Sequence, residues 1–301
     1  MAGSRVVHHA LTRVLEPIFE RRFSRHSFAC RIGMGTHKAL ELAREGARRF
    51  PYVLKCDVRK YFASIDHQIL NGQLARVIKC KPTLDLAARI IAGSNPQEEV
   101  VRYFEGDDLF TPFARRRGLP LGNQTSQFFA NVYLSGLDRL IEQELRPAVW
   151  ARYVDDLVLF DGDKRRLRAM REAMDRELGE LRLTLHPGKS RIHRCAEGVT
   201  FLGWRLFPGE ARLVRGNVVR FGRRMKRLQR DFAAGAIDWV KVEQSVRAWI
   251  AHASYGNTWL LREDVLERFA FGRGARPPRA GGVVQPPGEP PPCRQPEQER
   301  T

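Results

Sequence analysis

Between residues 5 and 50 the apolar positions recur at helical spacing. Val6, Val7, Leu11, Val14, Leu15, Ile18 and Phe19 form one stripe and Leu40, Leu42 and Ala43 another, joined by the basic, glycine-bearing connection SFACRIGMGTH. At 51–58 the period shortens, and PYVLKCDV reads as a short apolar strand that ends on Asp57. FASIDHQILNGQLARVI returns to helical spacing. After the basic loop FARRRGLPLGNQTSQ, the run FFANVYLSGLDRLIEQEL reads as one long helix and AVWARYVDDLVLF as two strands around a tight turn. KRRLRAMREAMDRELGELRL is an amphipathic helix, and GVTFLGWRLF a strand or strand pair. Helices and strands thus alternate around a central hairpin, which predicts an α+β layer rather than a doubly wound parallel sheet.

Two later segments differ in character. As a helix, VVRFGRRMKRLQRDF places Phe221, Met225, Leu228 and Phe232 on one face and Arg220, Arg223, Arg224, Arg227 and Arg230 on another. Such a basic face either follows a phosphate backbone or is simply solvated. From Gly272 the chain reads GRGARPPRAGGVVQPPGEPPPCRQPEQERT, with few large apolar residues to bury, and is expected to be disordered.

Charge narrows the partners. The 301 residues carry 52 Lys plus Arg against 34 Asp plus Glu, a net charge of +18, so the expected partner is a polyanion, nucleic acid before an anionic membrane surface. The five cysteines, Cys30, Cys56, Cys80, Cys195 and Cys293, show no CxxC spacing, which argues for reduced thiols and against a zinc site. The N-terminus has no apolar core of signal-peptide type, and no run approaches the roughly 18 apolar residues of a membrane span. A cytoplasmic protein with no membrane partner is expected.

Against this basic background the adjacent carboxylates of RYVDDLVLF stand out. A hairpin turn favours Asp in water, so Asp155 and Asp156 have a purely structural explanation. Asp57, however, closes a strand 98 residues earlier, and neighbouring strands of one sheet would bring it beside Asp155. Carboxylates so placed can hold two Mg²⁺ ions roughly 3.5–4 Å apart, which clamp the attacking and leaving oxygens of a phosphoryl transfer. A basic, nucleic-acid-binding protein with such a site is most economically a nucleotidyl transferase.

At this point the residues resemble a known family. KCDVRKYFASIDH resembles the first palm motif of reverse transcriptases, RYVDDLVLF their Tyr-x-Asp-Asp motif, LTLHPGKS the following lysine motif, FLGW the motif at the base of the thumb, and SVRAWIAHASYGNTWLL the thumb helices of the bacterial branch. The resemblance covers about residues 4 to 270. It implies a right-hand polymerase of α+β class: partial fingers at 1–50, a palm at 51–207 whose antiparallel sheet is backed by helices and which carries an inserted fingers segment at about 68–118, a helical thumb at 208–271, and a disordered tail at 272–301. Asp57, Asp155 and Asp156 would be the catalytic acids, holding two Mg²⁺ ions with the backbone oxygen of Val58. Lys189 would protonate or steady the pyrophosphate. Phe62 falls at the steric gate that selects deoxynucleotides; Arg5, Arg31, Leu121, Gly122, Gln127 and Tyr153 fall at nucleotide-binding positions. Arg220, Arg223, Arg224 and Arg227 would then contact nucleic acid.

One motif points to a branch. Most bacterial relatives read Gln-Gly-x-x-x-Ser-Pro under the incoming nucleotide, whereas LGNQTSQ has Leu121 in place of Gln and Gln127 in place of Pro. That variant resembles the reverse transcriptases of diversity-generating retroelements, which copy a template-repeat RNA with errors opposite adenine and diversify a target gene. The resemblance implies template RNA, a DNA or RNA primer, dNTPs and a small basic accessory protein as partners. It begins abruptly at GSRVVHHAL, where relatives have several dozen more residues, so either the start codon is misplaced or part of the fingers is lost. The alternatives are a group II intron-like or retron enzyme of ordinary fidelity and a non-catalytic RNA-binding remnant.

Overall fold

The computed structural model describes residues 2–94, 101–120 and 122–272; side chains before Val6, the residue Leu121 and the Pro-rich stretch with Cys293 lie outside the described residues. The chain divides into two compact units at Arg212/Leu213.

The first unit opens with α1 (Ala2–Glu20). Its predicted stripe is split: Leu11, Leu15 and Phe19 are buried, whereas Val6, Val7, Val14 and Ile18 are exposed. The sequence stripe spans more of the helix circumference than one neighbour can cover, and only the i, i+4, i+8 row meets a partner. α2 (Thr36–Arg49) buries Ala39, Leu40, Ala43 and Ala47, leads into β1 (Tyr52–Asp57), and the chain then turns through α3 (Tyr61–Ser64). α4 (His67–Val77) starts where the Asp66 carboxylate accepts from the Gln68 and Ile69 amides, an N-cap, and α5 (Lys81–Ala92) follows. The short α6 (Thr111–Ala114) precedes α7 (Gln124–Tyr133), whose Phe128 ring meets Phe19 of α1 edge-on at 5.3 Å.

The predicted long helix is interrupted. α7 gives way to α8 (Ser135–Arg139) and then to π-helical turns at Leu140–Leu145. At the first break the Ser135 hydroxyl donates to the Val132 carbonyl, a local bond that competes with the helical ladder. β2 (Val149–Tyr153) and β3 (Asp156–Asp161) then form the predicted hairpin around Val154 and Asp155. α9 (Lys164–Glu180) buries Leu167, Met170, Met174 and Leu178, and β4 (Arg191–Arg194) completes an antiparallel sheet in the order β2-β3-β1-β4. A second sheet follows with β5 (Val199–Phe201), β6 (Trp204–Leu206) and β7 (Ala211–Leu213).

The four-stranded sheet is covered unequally, and this positions the site. One face sends Leu54, Cys56, Trp150, Leu157 and Leu159 into a core shared with Leu70, Leu74, Phe129, Tyr133 and Met174 of the helices. On the other face α2 approaches so closely that a Cβ at Gly46 would stand 2.4 Å from the Phe160 ring, which only glycine permits. Towards the other end of that face, Val53 and Phe160 give way to Lys55, Asp57 and Asp156. Strand alternation thus brings Lys55, Asp57 and Asp156 together at one end of this face.

The second unit is helical: α10 (Arg215–Ala233), α11 (Trp239–Ala253) and α12 (Trp259–Glu267). Its core contains Phe221, Met225, Leu228, Trp249, Ala253 and Val265, with Phe221 and Trp249 stacked at 4.0 Å. The apolar face expected for α10 is the one buried.

Candidate active site

The carboxylate corner is built by register. β1 pairs antiparallel with β3 so that Asp57 lies opposite Asp156, and the β2/β3 hairpin sets Tyr153 opposite the same Asp156. The Val58 amide donates to the Asp155 carbonyl at 3.3 Å, tying the end of β1 to the turn. The 98-residue separation in sequence closes to adjacent strands, as the spacing of the two motifs predicted.

The lysine motif is pinned to the same place from behind. His186 donates its backbone N–H to the Asp57 carbonyl at 2.7 Å, and buried Ser190 receives the Asp57 amide on its hydroxyl oxygen at 3.3 Å. This fixes Lys189, whose Nζ lies 3.1 and 3.3 Å from the two Asp57 carboxylate oxygens. Lys55 performs a similar service at the other acid: its Nζ stands 3.6 Å from Asp156 Oδ1, beyond hydrogen-bond reach, and donates to the Thr200 carbonyl at 2.6 Å.

The electrostatics follow from crowding three acids at a partly buried corner. Burial pushes the Asp156 carboxyl up to about 6, with Asp155 and Asp57 adding to the rise and Lys55 opposing it. Asp155 is raised by burial and further by Asp57, against Lys189. Asp156 Oδ1 is buried without a hydrogen-bond partner. Hard oxygen donors, clustered negative charge and one orphan oxygen suit a hard divalent cation. As the side chains stand, two lysines neutralise the acids, and among the described residues no group of three or more His, Cys, Asp or Glu is gathered closely enough to enclose an ion.

The other expected residues divide into those joined to this corner and those apart from it. Phe62 follows in α3, partly buried and edge-on to Tyr61, and its carbonyl accepts from the Leu119 amide at 2.8 Å. That bond sets Leu119, two residues before LGNQTSQ, beside Phe62. Gly122, at φ +94°, and Gln127, on the first turn of α7, are exposed; Leu121 lies outside the described residues. Tyr153 receives a hydrogen bond from Thr36 at 3.3 Å. Arg31 stands apart: its guanidinium is held by Glu20 at 2.6–3.1 Å and by the Ser24 and Ser27 carbonyls, which leaves it a brace between α1 and the following loop. The Arg5 side chain lies outside the described residues.

In the second unit Arg220, Arg223, Arg224 and Arg227 are all exposed on one face of α10. Arg220 and Arg224 also line a cavity of about 390 Å³ with Asn217, Phe221, Trp249 and His252. The sequence pattern did not single out Lys55, Ser190 or Arg152. For Arg152 a signal existed, since it shares the inward parity of Trp150 on β2.

With this geometry in view, the family model described as reverse transcriptase (RNA-dependent DNA polymerase) matches residues 2–206. The chain is similar to protein YkfC of Escherichia coli strain K12, 26% identical over an alignment of 246 residues that covers 69% of this chain and 62% of that protein. It is also similar to nuclear intron maturase 1, mitochondrial, of Arabidopsis thaliana, 33% identical over 82 residues, 27% of this chain and 12% of that one. The chain therefore spans about three fifths of the bacterial relative and a small part of the plant one. Among solved structures, Candida tropicalis telomerase in complex with a telomeric RNA fragment aligns with a TM-score of 0.50 at 12% identity, covering 73% of this chain and 40% of that one. That likeness concerns the fold alone.

Proposed function

Because the chain belongs to the reverse transcriptase family over residues 2–206, we propose that it copies RNA into DNA at the Asp57, Asp155 and Asp156 corner, as an intron-type enzyme of ordinary fidelity. The observation that carries this reading is the strand register that sets Asp57 against Asp156, with Asp155 in the turn and Lys189 on Asp57. Resemblance to a plant intron maturase and to yeast COX1 intron proteins supports the intron-type branch.

The three acids, with the backbone oxygen of Val58, would hold Mg²⁺, which when bound would supply Lewis-acid activation of a primer 3′-hydroxyl and charge stabilisation of the pyrophosphate. Lys189, held beside Asp57, would give a proton to that leaving group. Phe62 closes the sugar side of the site against a 2′-hydroxyl. The exposed arginines of α10 take template or primer phosphates, and dNTPs are the substrates.

A second reading rests on LGNQTSQ alone: a diversity-generating enzyme that errs opposite adenine and works with a small basic accessory protein and a structured RNA. Leu121 in place of a polar residue removes hydrogen bonds near the templating pair and so weakens discrimination. Primer extension on an RNA template with Mg²⁺, beside an Asp155→Asn control and with products sequenced, separates the two. Accurate extension, with no excess of errors opposite adenine, supports the first reading. Errors concentrated opposite adenine, and removed by Leu121→Gln, support the second. Absence of extension with the accessory protein and structured RNA present leaves RNA binding without catalysis.

A further inference from the structure

Val154 is a β-branched residue at φ +58°, a conformation that L side chains enter at a cost. It is the first of the two residues between β2 and β3, a place where two-residue hairpins usually require glycine. The second of those residues is Asp155. Something must therefore hold the turn in a form its own sequence disfavours.

The neighbouring Arg152 supplies the hold. It is completely buried, and its guanidinium forms a planar fork on Asp138, with Nε at 2.6 Å from one carboxylate oxygen and NH2 at 2.5 Å from the other. The remaining nitrogen donates to the Asn131 side-chain oxygen at 3.2 Å and to the Val154 carbonyl at 2.9 Å. Asn131 is itself fixed, donating to the Ala29 carbonyl at 2.8 Å. The Arg152 backbone is bonded on both sides, its N–H to the His26 carbonyl and its C=O to the Phe28 amide. All three guanidinium nitrogens and both backbone groups of Arg152 thus have partners, and one of those partners is the carbonyl of the strained residue.

Stability alone is a poor reason for such an arrangement, because a fully buried ion pair is often matched or bettered by apolar side chains of similar size. What apolar residues lack is a donor for the Val154 carbonyl. We propose that Arg152, clamped by Asp138 and Asn131, is a positioning residue that holds Val154 in its left-handed form and so fixes where Asp155 presents its carboxylate. The inference rests on the polymerase reading of that carboxylate.

The test is a double-mutant cycle between Arg152→Lys, which keeps the charge but loses the fork, and Val154→Gly, which adopts the turn without help. Extension rate, the Mg²⁺ concentration for half-maximal rate and the urea midpoint are read for all four proteins. Arg152→Lys lowers the rate by about 10²-fold, in the range for loss of a group that sets active-site geometry, and raises the Mg²⁺ requirement several-fold. In the Val154→Gly background the same substitution costs less than a tenth of that, and the Mg²⁺ requirement returns towards that of the parent. Additive losses, or an Arg152→Lys protein with unaltered Mg²⁺ requirement, overturn the proposal. If the parent protein extends no primer, the polymerase reading fails by itself. The urea cycle then decides the hold: a smaller loss of midpoint from Arg152→Lys in the glycine background supports it, and equal losses refute it.

Discussion

The acidic corner of the β1/β3 sheet and the arginine face of α10 are both strongly charged, and they are built on opposite principles. At the corner three acids are crowded, partly buried and held in place by strand register, and Asp57 adds to the rise of both Asp155 and Asp156. On α10 the charges are exposed, spaced by helical repeat and attached through long, independent stems. Reaction chemistry needs a few groups at set positions in a desolvated place; adhesion to a polyanion needs only a sum of charges. The comparison predicts sharply different responses to substitution.

The largest effect belongs to the corner. Asp155→Asn should lower primer extension by on the order of 10³-fold with RNA affinity unchanged, measured by single-turnover extension beside a binding isotherm. Adding Asp57→Asn should cost little more, because groups that act as one unit do not contribute additively. A second full loss in the double variant would place the acids in separate roles. Next comes Phe62→Ala, an uncharged change beside the same corner. It should raise ribonucleotide use relative to deoxynucleotide use by roughly 10-fold or more, read from paired kcat/KM values. An unchanged ratio would make Phe62 a core aromatic only.

The α10 face should answer in small, equal steps. Alanine at Arg220, Arg223, Arg224 or Arg227 should weaken RNA binding a few-fold each, cumulatively, and reduce the slope of log affinity against log salt by about 1 per residue. One arginine carrying most of the loss would mean that this face, too, depends on position, with the cavity at Arg220 and Arg224 the place to look.

The smallest effect concerns stability. The folded-state Asp156 carboxyl lies at about 6, above its ordinary value of 3.8, so between these the folded protein holds a proton the unfolded chain releases. Its stabilising contribution is present below that window and is lost as the pH rises through about 6. Asp156→Asn should therefore raise the melting temperature at pH 8 by roughly 2–4 °C, with the gain shrinking by pH 5. A variant less stable at both pH values would show that Lys55 outweighs burial.

Much of this was legible from residue patterns. The strand ending on Asp57, the hairpin around Asp155, the amphipathic α9 and the buried face of α10 each follow from local periodicity, which the structure retains because each element buries the face its sequence marks. The motif order likewise identified the polymerase fold and the acids to test. LGNQTSQ points towards diversity generation, whereas several relatives are named as intron maturases or intron proteins, which is why the intron-type branch is the one proposed.

What the sequence alone determined, then, is the identity of the elements and the chemistry of their ends. Only the tertiary structure decided which apolar residues of α1 find a neighbour, that the run after Gln124 breaks into three helical pieces, and that Arg31 serves as a brace. It alone decided that Lys55 and Lys189 would meet Asp156 and Asp57, and that a buried arginine would steady a strained valine. The physical reason is range. Periodicity and turn chemistry act over a few residues, whereas the partner of a buried charge is chosen by packing between segments that are distant in the chain.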